Sequence, residues 1–189
     1  MTAQRWKESA PQRWGSLAEL GMKAYPAADD AQAAAASAHL FADSLQWTVR
    51  LLATSQHALG KHAYVYHFAH EPPYGPGAHK LGACHGCELP YVFDHLAAPR
   101  SYPDSSSPDL AAAASPERDL AKVMSSYWVN FAHSGDPNGR NLPRWPPLND
   151  AAKGPVLQIA DPIAPGDSLG DDKVNLFRSL YEKQLQALP

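Results

Sequence analysis

Tyr64-Val65-Tyr66-His67-Phe68, followed after a Gly/Pro-rich connection by Gly82-Ala83-Cys84-His85-Gly86-Cys87-Glu88-Leu89, decides how this chain is read. The first run is short, aromatic and β-branched, with apolar side chains on both alternating faces. That pattern predicts a strand buried within a parallel sheet. Glu71 to Gly82 reads as a loop, and Leu89 to Leu96 as a short helix. A loop that leaves the end of a buried strand is where an α/β protein places its chemistry.

Working outward, Asp29 to about Gly60 is helical in character. Phe41, Leu45, Thr48, Val49 and Leu52 fall at helical spacing and predict one long, core-facing helix. Residues 97 to 116 are rich in Pro, Ser and Ala and read as a low-complexity linker. Ser115-Pro116-Glu117 then starts a helix, with a capping hydroxyl, proline in the first turn and an acid facing the helix dipole. Leu120, Val123, Met124, Tyr127, Trp128 and Phe131 make its apolar stripe. Ser134-Gly135-Asp136-Pro137 stops it, because glycine takes a left-handed cap and proline cannot continue. A strand at Val156 to Ile159 and a terminal helix marked by Val174, Phe177, Tyr181, Leu185 and Leu188 complete the reading.

Gly82 to Phe93 resembles the histidine loop of the type-B carboxylesterases, the cholinesterase-like carboxylesterase/lipase family that includes para-nitrobenzyl-esterase-like enzymes. There a Gly-x-x-His-Gly-x-Glu-Leu frame presents the triad histidine beyond a buried strand. Three further blocks match in order: Phe41-Ala42-Asp43, the strand Tyr64 to Phe68, and Tyr127-Trp128-Val129-Asn130-Phe131-Ala132-His133-Ser134-Gly135-Asp136-Pro137-Asn138. Together they cover roughly residues 15 to 185. The resemblance implies the C-terminal part of an α/β-hydrolase fold over 1–189, helix-rich with few strands. It also implies carboxylic-ester hydrolysis through an acyl-serine, with His85 as general base toward the serine and general acid toward the leaving alcohol. Glu88 keeps two readings, a carboxylate behind His85 in the same pocket or a helix-start acid ahead of Leu89 to Phe93.

The triad partners are missing. In α/β-hydrolases the chain order is nucleophile, acid, histidine, and no Gly-x-Ser-x-Gly lies upstream of His85. The acid of the family, usually a glutamate, would also lie farther upstream, so neither nucleophile nor acid is expected in this chain. Gly166-Asp167-Ser168-Leu169-Gly170 fits the elbow pattern literally. The prolines in Asp161-Pro162-Ile163-Ala164-Pro165 deny it the preceding central strand, and no histidine follows His133, so Ser168 is rejected as a nucleophile. Cys84-His85-Gly86-Cys87 lacks the second cysteine pair of a structural zinc site, and the two cysteines read as small, partly buried thiols.

With 189 residues, 44% of them hydrophobic, the chain is long enough for one core. Its net charge of −3, with no basic block, argues against nucleic-acid and membrane-surface partners. The expected partners are a small-molecule carboxylic ester and an N-terminal esterase chain completing the fold, with no metal or organic cofactor. Any targeting signal would lie upstream, so the compartment stays open. Two rivals stand beside the esterase reading: a non-catalytic remnant or interaction module of cholinesterase-like fold, and a thiol- or metal-binding protein at Cys84–Cys87.

Overall fold

The computed structural model describes residues 1–74, 82–96, 115–150, 154–166 and 170–187. Most of the expected 97–116 linker, residues 75–81 of the loop before Gly82, Ser168 and Leu188 lie outside the described residues. The chain divides into two compact units, one from Met1–Ala63, Leu148–Gly154 and Asp167–Pro189, the other from Tyr64–Pro147 and Pro155–Gly166.

The first unit is helical: α1 (Ala3–Glu8), α2 (Ala10–Trp14), α3 (Ala18–Ala24), α4 (Asp30–Ala58) and, later in the chain, α7 (Asp171–Gln186). Its core is aromatic. Trp6 meets Trp14 edge-on at 5.7 Å, Trp14 stacks on Tyr25 at 6.4 Å, and Trp47 stacks on Phe177 at 6.4 Å. Gly21 is required by this packing, because a Cβ there would fall 2.2 Å from the Trp14 ring. Asp29 caps α4 by accepting from the Gln32 amide at 2.8 Å.

The long helix forms as expected, but it buries a different face. Ala33, Ala36, Asp43, Trp47, Arg50 and Ala53 point inward. Phe41, Leu45, Val49 and Leu52 are 69%, 52%, 46% and 63% exposed. They are centred roughly 170° around the helix from Asp43, Trp47 and Arg50. The physical reason is specific pairing on the buried side: Asp43 accepts from Tyr25 Oη at 2.9 Å and meets Lys173 Nζ at 2.6 Å, while Arg50 Nη1 donates to the Gly154 carbonyl at 2.8 Å. Buried charges with partners and a stacked tryptophan orient the helix more firmly than an apolar stripe that packs on none of the described residues closely enough to be buried.

The second unit holds a three-stranded sheet in the order β1 (Tyr66–Phe68), β2 (Val156–Ile159), β3 (Ala164–Gly166). β1 runs parallel to β2, with Tyr66 opposite Leu157 and Phe68 opposite Ile159. β3 returns antiparallel, with Pro165 opposite Leu157. The parallel pairing is as expected; the interior position is not. Among the described residues β1 pairs with β2 alone, Phe68 is buried and His67 is exposed. β3 was not anticipated; its one proline, Pro165, lies on a strand with one neighbour among the described residues, the edge position in which proline is tolerated.

α5 (Leu89–Val92) and α6 (Ser115–Ser134) complete this unit. Met124 and Tyr127 of α6 are buried with Tyr91, Phe68, Leu157 and Trp145, whereas Phe131 at the end of the stripe is 49% exposed. The Asp136-Pro137-Asn138 turn locks this core. Asn138 Oδ1 accepts from the Trp145 amide at 2.8 Å and its Nδ2 donates to the Trp145 carbonyl at 2.9 Å; Asn130 Nδ2 donates to the Pro137 carbonyl at 3.2 Å. The block from Tyr127 to Asn138 is therefore a packing device, which seats Trp145 against Tyr127 and Tyr66. No described helix is long and apolar enough to cross a membrane.

Candidate functional site

His85 lies on the turn between β1 and α5. Gly82 and Gly86, with φ of 65° and 82°, allow the chain to reverse on either side of it, a backbone conformation that favours glycine. The Cys87 amide donates to the Cys84 carbonyl at 3.1 Å and closes the turn, leaving the His85 side chain exposed. Cys84 and Cys87 are joined as a disulfide, a correction to the reading of two thiols. With both sulfurs bonded to each other, neither is a thiolate ligand, and among the described residues no group of three His, Cys, Asp or Glu side chains could hold a metal.

Glu88 occupies the residue before α5 but makes no side-chain cap bond. Its charge reaches Tyr66, whose hydroxyl is pushed up from its ordinary value by burial first and by Glu88 second. Tyr66 and Trp145 help line an aromatic cavity of about 230 Å³ with Tyr64, Tyr127, Trp128 and Phe131.

A second polar cluster escaped the sequence reading. His70 Nε2 lies 3.0 Å from Glu117 Oε2, and Tyr91 Oη donates to the same oxygen. The His70 and Glu117 side chains are 18% and 12% exposed. Burial, followed by the bond to Glu117, pushes the Tyr91 hydroxyl far above its ordinary range. His70 also lines a cavity of about 260 Å³ with Leu120, Val123, Asp161 and Ile163. The cluster joins residues 47 and 26 positions apart, so local pattern could not reveal it; Glu117 carried only the weaker signal of a helix-start acid.

A strand, a glycine-flanked histidine turn and a following helix define a segment of α/β-hydrolase type. Residues 5–177 match the model of the carboxylesterase family, and the chain belongs to that family. It is 31% identical over 170 residues to fumonisin B1 esterase of Sphingopyxis macrogoltabida, covering 89% of this chain and 30% of that protein. It is 33% identical over 130 residues to carboxylesterase 4A of Bos taurus, covering 67% of this chain and 21% of that one. A solved PNB esterase shares the fold with a TM-score of 0.58 at 19% identity, over 94% of this chain and 33% of the esterase. The chain thus spans less than a third of the length of these two curated relatives.

Proposed function

We propose that this chain is the C-terminal segment of a carboxylic-ester hydrolase and supplies its triad histidine, His85. The observation that carries the reading is the setting of that residue, an exposed imidazole on a turn held by two positive-φ glycines directly ahead of α5, in a chain of the carboxylesterase family. In the proposed reaction His85 takes the proton from a serine hydroxyl as its oxygen attacks the ester carbonyl carbon. It then returns that proton to the departing alcohol; water repeats the sequence and releases the acid. The serine, the acid that orients the imidazole and the oxyanion donors come from an N-terminal esterase segment. Glu88 keeps both readings, a carboxylate behind His85 or a helix-start acid, since it stands directly before α5 without a side-chain cap bond and its charge reaches Tyr66. The exposed face of Phe41, Leu45, Val49 and Leu52 supports a missing partner, because a row of large apolar side chains left in water marks an interface.

The test is to co-express the chain with the upstream two-thirds of a related esterase and assay a small aryl ester. Turnover should appear in the pair and fall by about three orders of magnitude or more in His85→Ala, with KM little changed. Turnover in the pair that survives His85→Ala would end the assignment. A pair that associates without hydrolysis would favour an interaction module, which the same apolar face would also serve.

A further inference from the structure

We propose that Glu117 is a positioning residue for the His85 turn, and that with His70 and Tyr91 it forms a clasp tying together the two ends of the excursion that carries His85. The inference rests on the reading of His85 as the base and names what holds it.

His70 is fixed on the sheet side, since its amide and that of Ala69 both donate to the Ile159 carbonyl, at 2.8 and 2.9 Å. Tyr91 is fixed on the helix side, inside α5 and fully buried. Between them runs the excursion, and Glu117, arriving from the first turn of α6, bonds to both at a single oxygen. Tyr91 donates through its hydroxyl, and His70 Nε2 faces the same oxygen and donates to it in the tautomer that carries its proton there. Bonds to a charged acceptor are the stronger kind, and a mostly buried carboxylate that lost a donor would be left under-solvated. The rings reinforce the closure, with His70 edge-on to Tyr91 at 5.6 Å and both against Phe68 at 6.0 and 5.6 Å.

Two further closures lie inside the clasp. Tyr74 Oη donates to the Gly82 carbonyl at 2.8 Å, and the Cys84–Cys87 disulfide ties the residues immediately around His85. The local turn is therefore closed on itself, and its placement depends on where α5 and the end of β1 are held. Glu117 holds both. A general base must stand within hydrogen-bond reach of the proton it takes, so a shift of the turn as a whole would be felt in turnover before it was felt in stability.

The test uses the chain itself, with ¹³C-labelled histidine, the His85 signal assigned by His85→Gln, and amide exchange measured across 82–92. The native chain should give one His85 resonance. Glu117→Leu should shift or split it and speed exchange at Cys87 to Val92 by about tenfold or more, with the later turns of α6, Met124 to Phe131, unaffected as a control for folding of the same unit. Glu117→Gln, which keeps an acceptor, should restore most of the native signal. Tyr91→Phe, which deletes one donor and preserves the ring, gives the same readout in a variant that folds if Glu117→Leu does not. An unchanged His85 resonance and unchanged exchange in a folded variant would overturn the clasp. Loss of the clasp signal leaves the role of His85 standing; turnover that survives His85→Ala in the paired enzyme removes that role and leaves the clasp.

Discussion

At the scale of residues, the position of His85 was legible because its frame is local: glycine, histidine, glycine and glutamate within a few positions carry the turn. The disulfide around it was not, since Cys-x-x-C spacing is compatible with thiols, metal or a bond, and only the fold of the turn decides. Alkylation of the unreduced, denatured chain should therefore leave its mass unchanged, while prior reduction by a dithiol should add two alkyl groups at Cys84 and Cys87; modification without reduction would contradict the bond. The buried phenols give a second expectation. Tyr25 is pushed up from 10.0 by burial first and by its bond to Asp43 second, Tyr91 by burial and then Glu117, and Tyr127 up to about 12 by burial. Each keeps its proton in the folded chain where the unfolded chain has already released it. The stability they contribute is complete below the ordinary phenol value and declines as pH rises beyond it. Phenolate absorbance should accordingly rise in two stages, the later one coinciding with loss of helical circular dichroism.

At the scale of elements, α4, α6 and α7 could be read because each is long and periodic, whereas α1, α2 and α3 span only 6, 5 and 7 residues and offer no period to detect. The face that α4 would bury could not be read, because hydrophobicity ranks faces only when each has something to pack on. Trp47 and two paired charges prevailed over four aliphatic or aromatic side chains for that reason. β3 failed to show for the opposite cause: Pro162 just before it and Pro165 within it rule out a central strand and leave an edge strand open. A contrast in stability follows. Trp47→Ala, which empties the stack on Phe177, should cost about 3–5 kcal/mol in urea unfolding. Leu52→Glu, on the exposed face, should change it by no more than about 0.5 kcal/mol and raise solubility. Equal losses in the two variants would mean that the Leu52 face is covered within the chain.

At the scale of the whole molecule, one core is not what the chain builds, although its length allowed one. The sheet-bearing unit is inserted into the helical unit along the sequence, so that Trp47 and Phe177, which stack on each other, are separated by all of the second unit. That nesting has a consequence for biosynthesis. As the polypeptide leaves the ribosome, Trp47 emerges ahead of the Phe177 ring that closes over it, which follows about 130 residues later, a delay on the order of ten seconds at ordinary translation speeds. Through that interval Trp47 has no Phe177 ring to stack on while the apolar face of α4 is also exposed, a combination that chaperones recognising aromatic and aliphatic side chains would hold until α7 arrives.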